Sequence, residues 1–69
     1  MSSIVLRVPE LLERVAEMKS NGCDYVRLEF YEAENDEPAF LHFDGYKAND
    51  PGCIIDYEEL EDVPFEYLP

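Results

Sequence analysis

Apolar residues recur along the chain with two different periods, and the change of period marks its elements. In residues 9–20, Leu11, Val15 and Met18 fall at i, i+4 and i+7, and Leu12 and Ala16 widen the stripe. That spacing predicts an amphipathic helix from about Pro9 to Ser20. Pro9 suits the first helical position, where its missing N–H costs nothing. Glu10 complements the helix dipole from the same turn. Glu10 and Arg14 form a favourable i, i+4 pair, Glu13 and Glu17 an unfavourable one. Asn21-Gly22 closes the helix, with Gly22 the expected left-handed residue. Ahead of the helix, residues 3–8 read as a short extended segment, because Val8 precedes a proline.

After Gly22 the period drops to two. In residues 24–33, Val26, Leu28 and Phe30 point one way, and Tyr25, Arg27, Glu29 and Tyr31 the other. Glu34-Asn35-Asp36-Glu37 is a polar turn cluster, and Pro38 opens the next strand. Ala39, Leu41 and Phe43 then alternate with Phe40 and His42, so the two strands read as a hairpin. Asp44-Gly45 reads as a tight turn or a bulge. Asn49-Asp50-Pro51-Gly52 is a stronger signal, of type II, before a third strand from Cys53 to Tyr57. Residues 56–62 allow two readings. Asp56 and Glu59 match a capping box and one helical turn, and the same residues equally prolong the strand until Pro64 stops either form.

These elements predict an α+β fold: one helix packed on a three-stranded, mainly antiparallel sheet, with the first segment available as a fourth strand. The expected core is Leu11, Leu12, Val15, Met18, Val26, Leu28, Phe30, Leu41 and Phe43. Sixty-nine residues suffice for a single domain, 1–69, with 58–69 readable as an acidic, aromatic tail. A core this thin gains from self-association, which makes a homodimer one expectation. No apolar run approaches the roughly 18 residues of a membrane span, and Ile4-Val5-Leu6 is too short for a signal peptide, so the expected location is cytoplasmic. Cys23 and Cys53 are then expected to be reduced.

Charge sharpens this picture. The net charge is −12. Residues 1–28 balance Glu10, Glu13, Glu17 and Asp24 against Arg7, Arg14, Lys19 and Arg27, so all of the excess lies beyond them, where Lys47 is the one base. Direct binding to nucleic acid or to anionic membrane is disfavoured, because both need a basic patch. A protein partner with a basic surface is favoured.

Motif chemistry adds little. His42 is the one histidine, placed mid-strand with no nucleophile beside it in sequence; Cys23 or Cys53 could reach it only through the fold. Cys23, His42 and Cys53 lack the close pairing of structural zinc ligands. Counted from Asp44 as the first position of a calcium loop, Tyr46 and Ala48 stand where oxygen ligands belong. The three glycines are isolated, so no phosphate loop exists. No cofactor and no catalytic residues are assigned, and the expectation is a protein that is not an enzyme.

Two features stand above this background. One helix covers one face of a sheet, which leaves Tyr25, Arg27, Tyr31, Phe40 and His42 on the other, and aromatics with Arg are enriched at interfaces. The tail carries Phe65 and Tyr67 among acids, a composition suited to a segment that orders on a partner. The reading is a small non-enzymatic binding or regulatory module with an acidic, aromatic-bearing surface for a basic protein. The alternative is a nucleic-acid mimic that occupies a partner's DNA- or RNA-binding site.

Crowded carboxylates repel, and salt screens them. Raising NaCl from about 0.01 M to about 0.15 M shortens the screening length from about 30 Å to about 8 Å. The melting temperature, followed by circular dichroism, should rise over that interval; a flat trend would show the acids already compensated.

Overall fold

The computed structural model describes residues 3–64 of the chain. Its elements are α1 (Val8–Ser20), β1 (Tyr25–Tyr31), β2 (Phe40–Lys47) and β3 (Asp50–Glu61). The strands form one antiparallel sheet in the order β1-β2-β3, and α1 lies against it. This is the expected α+β architecture.

Local chemistry explains the helix ends. Arg7 is the N-cap and Pro9 sits in the first turn, so the carbonyl of Arg7 takes the N–H groups of Glu10 and Leu11, both at 3.1 Å. At the other end Gly22 adopts φ +79°. The Gly22 N–H donates to the Lys19 carbonyl and the Cys23 N–H to the Met18 carbonyl, each at 3.0 Å. That is a Schellman closure, and it turns the chain straight into β1.

The sheet departs from the sequence reading in two places. Asp44-Gly45 is neither turn nor bulge but the middle of β2. Gly45 is required there by close approach, since a Cβ would stand 2.5 Å from the Cys23 Sγ and 3.0 Å from the Tyr57 ring. The turn after β2 is Ala48-Asn49, between the paired Lys47 and Asp50, so Asp50-Pro51-Gly52 belongs to β3. Gly52 does not have the positive φ a type II turn needs; among the described residues only Gly22 and Asn35 do. The Asp24 carboxylate supports the turn by accepting the Ala48 N–H at 2.8 Å. Of the two readings open for residues 56–62, the strand is the one formed, as far as Glu61. Pro51 is tolerated because β3 is an edge.

The first segment adds no fourth strand. It docks through Val5, whose N–H donates to the Asp62 carboxylate at 2.7 Å and whose carbonyl accepts the Val63 N–H at 2.9 Å. This contact holds the start of α1 near the end of β3. Near its other end, the Asn21 side-chain amide donates to the Tyr57 hydroxyl at 2.9 Å. Both ties end on β3 or just beyond it, and α1 packs chiefly on that strand.

The core is therefore displaced from the one the periodicity predicts. Met18, Phe43, Tyr57 and Leu60 form it, flanked by Leu6, Leu41, Cys23 and Ile55. Arg14 and Met18, not Leu11 and Val15, are the buried residues of α1. Leu11, Leu12, Val15, Val26, Leu28 and Phe30 are exposed, although the register puts the three β1 residues on the core side beside Gly45, Phe43 and Leu41. The helix covers β3 and leaves β1 bare. The expected Glu10–Arg14 pair is replaced as well, because Arg14 folds inward and meets Glu17 at 2.9 Å.

Phe43 is 1% exposed and Phe30 is 39% exposed, and the two should differ accordingly on truncation. Phe43→Ala should cost about 3–5 kcal/mol in urea denaturation, and Phe30→Ala less than half of that. Equal losses would place β1 inside the core.

Candidate docking surfaces

Alternation along three antiparallel strands fills the face of the sheet away from α1 with cross-strand rows. Tyr31 pairs with Phe40, Glu29 with His42, Arg27 with Asp44 and Tyr25 with Tyr46. Phe40, Asp44 and Tyr46 continue to Glu61, Asp56 and Ile54 on β3. Tyr25, Arg27, Tyr31, Phe40 and His42 thus do share one face, as their alternation requires. Phe65 and Tyr67 lie outside the described residues.

Tyr25 is exposed, and the other four are engaged with neighbours on the face. Tyr31 and Phe40 stack with centroids 4.7 Å apart and planes at 11°. Arg27 Nη2 and Nε both donate to Asp44 Oδ2, at 2.7 and 3.2 Å, while its guanidinium lies 5.6 Å from the centre of the Tyr46 ring. His42 faces carboxylates and neither cysteine. Its Nδ1 is 3.7 Å from Glu29 Oε1, and its Nε2 is 3.4 Å from Asp44 Oδ1 and 3.8 Å from Asp56 Oδ1. Cys23 is on the opposite side against Tyr57, and both cysteines are free thiols. A Cys-His nucleophile is not formed.

Asp44 is the residue the sequence reading missed here. Read as a turn, it had no face; as the centre of β2, its side chain is 2% exposed beneath Arg27 and His42. Asp56 faces it across the ladder. Proton sharing with Asp56, followed by the Arg27 hydrogen bonds, holds the Asp44 carboxyl below the usual range. The same contact with Asp44, by hydrogen bond and by like charge, pushes Asp56 up.

The other face also leaves apolar residues exposed. At about 3.6 residues per turn, the buried Arg14 and Met18 divide the surface of α1 into two flanks. Toward β1 lie Leu11 and Val15, and with Val26, Leu28 and Phe30 they make an apolar shelf, each residue more than a third exposed. At its Cys23 end is a hollow of about 150 Å³ lined by Val15, Met18, Cys23, Tyr25 and Val26, with Lys19 and Asp24. Toward β3 lies a groove of about 440 Å³ lined by Glu10, Glu13, Glu58, Glu59, Glu61 and Asp62, with Arg7 and Arg14. Acids and apolar residues are thus separated by the helix itself. Periodicity had found both sets of apolar residues, but not that the helix would sit to one side of β1.

The chain matches no protein-family model, no curated protein and no solved structure. Among the described residues no helix is long and apolar enough to cross a membrane.

The carboxylate pair yields a signed expectation. A raised Asp56 stabilises the fold while protonated, and that contribution is lost as pH rises through its folded value. Asp56→Asn should therefore raise the melting temperature at neutral pH in chelator-containing buffer, and the gain should shrink on acidification. An unchanged or lower melting temperature at neutral pH would mean that the two carboxylates do not repel.

Proposed function

We propose that this protein is a non-enzymatic binding module whose partner is a protein with a basic, amphipathic surface laid over α1. The observation that carries the reading is the division of one helix into an apolar flank and an acidic flank. Apolar side chains of the partner would fill the shelf at Leu11, Val15, Val26, Leu28 and Phe30, and its Lys or Arg residues would meet the Glu10–Glu13–Glu58–Glu59 groove. Contiguous exposed apolar surface of this kind marks interaction sites. The acids supply steering and discrimination against acidic proteins. Two copies, each carrying net charge −12, repel, which favours a basic partner over a second copy.

The nucleic-acid mimic is the weaker reading. A mimic needs carboxylates spaced as phosphates along an uninterrupted face. Here the groove acids are gathered on one flank of α1 with an apolar shelf on the other, an arrangement that supports a protein interface instead.

The test uses the full chain as bait in extracts of its native cells, with the wild type compared with Leu28→Asp and Tyr31→Ala. A specific basic partner should be retained by the wild type and Tyr31→Ala, lost with Leu28→Asp, and released as salt increases. Sedimentation of the free protein should show a monomer. A stable dimer that Leu28→Asp dissociates would assign the shelf to a second copy. Binding that ignores Leu28→Asp and is abolished by neutralising the groove acids would support the mimic.

A further inference from the structure

With Asp56 ionised, and so with no proton to donate, the cluster around His42 contains an acceptor with nothing to accept. Asp44 Oδ2 takes both Arg27 donors, and Oδ1 of the same carboxylate is buried without a hydrogen-bond partner. The residue is 1% exposed, so water does not compensate. An unmet buried carboxylate oxygen is costly, and in native proteins such an atom commonly marks an ion or a functional group's place. Oδ1 points at the His42 Nε2, 3.4 Å away, and the Asp56 Oδ1 stands 3.8 Å from that same nitrogen. Two carboxylate oxygens, one from β2 and one from β3, thus stand beside one imidazole nitrogen. From β1, Glu29 closes the other side of the ring, with Oε1 3.7 Å from Nδ1. One donor atom each from Glu29, His42 and Asp44 lies within 4.8 Å of the others.

We propose that His42, Asp44 and Asp56 bind a divalent transition-metal ion of the Zn²⁺ class. In a tetrahedral site with ligand bonds of about 2.0–2.1 Å, donor atoms stand about 3.4 Å apart. The observed 3.4 and 3.8 Å separations need only a small closure of the exposed Asp56 side chain. One imidazole with two carboxylates is a donor set for Zn²⁺ or Mn²⁺ over Mg²⁺ or Ca²⁺, which take oxygen alone. The surroundings are those of a ligating histidine. Glu29, 3.7 Å from Nδ1, would close by a few tenths of an ångström to accept the Nδ1 proton and leave Nε2 free for the metal, and Arg27 orients Asp44 through its other oxygen. The fourth position faces solvent and would hold water. The site is independent of the apolar shelf, since it lies on the opposite face of the sheet.

The experiment is calorimetric titration of the full chain with ZnCl₂ at neutral pH in about 0.15 M NaCl, where exposed charges are screened beyond about 8 Å. One Zn²⁺ should bind per chain. His42→Ala and Asp56→Asn, both at partly or fully exposed positions, should each weaken binding at least about 10-fold, and Glu29→Gln by about 10-fold through the orientation of His42. Glu13→Gln, which removes one negative charge from the distant groove, should leave the affinity unchanged. Because His42 is the one histidine, its ring nitrogen resonances read ligation directly, and Nε2 should shift on Zn²⁺ addition while Nδ1 keeps its proton. The proposal is overturned by absence of saturable binding, by an unmoved Nε2 resonance, or by equal losses in His42→Ala and Glu13→Gln. The last result would mean diffuse attraction of cations to an acidic chain.

Discussion

The close approach of Cys23 to Gly45, with Tyr57 beside both, decides where the helix lies. Gly45 is the one position of β2 without a side chain, and the Cys23 thiol occupies the space a Cβ would need. Tyr57 packs into the same corner and reaches the Asn21 amide through its hydroxyl. Burial pushes the Tyr57 phenol pKa up, consistent with a group held neutral in the core. Because the helix ends only three residues before Cys23, anchoring Cys23 here anchors the end of α1. The Val5 contacts with Asp62 and Val63 then settle its start. With both ends tied on the β3 side, the helix has no freedom to cover β1.

Everything of functional interest follows from that offset. A helix centred on the sheet would bury Leu11 and Val15 against Val26, Leu28 and Phe30. Offset toward β3, it buries Met18 and the stem of Arg14 and leaves the others as a shelf. The same offset brings Glu10 and Glu13 next to Glu58, Glu59 and Glu61, so that like charges gather in one groove. Such a gathering opposes folding, and the basic surface proposed as partner would relieve it. Binding of such a partner would stabilise the fold by mass action.

The far side of the sheet follows a separate logic, that of cross-strand pairing. Its rows put an aromatic stack at one end, Arg27 on Asp44 in the middle and His42 among carboxylates between them. Asp44 lies too deep for water and has one oxygen satisfied. A buried carboxylate in that condition looks for a proton or a cation, and His42 with Asp56 surrounds the place where either would sit.

Much of the fold was legible in the residues alone. Period 3.6 in residues 9–20, period 2 in residues 24–31 and the Asn21-Gly22 stop set the helix, the first strand and the joint between them, because local sterics and hydrogen bonding determine these. Alternation likewise put Tyr25, Arg27, Tyr31, Phe40 and His42 on one face. Asp44-Gly45 was misread because a glycine's local preference for turns says nothing of a distant side chain that needs its space, and Cys23 is that side chain; Pro51-Gly52 was misread because the pairing of Lys47 with Asp50 closes the turn earlier, at Ala48-Asn49. The core list failed for a related reason: amphipathicity shows that a face is apolar, not which strand will cover it. That choice rests on contacts between residues far apart in sequence, Val5 with Asp62 and Val63 and Asn21 with Tyr57. The proposed metal site joins residues 42, 44 and 56, with residue 29 behind His42, and only the register of the three strands brings them together.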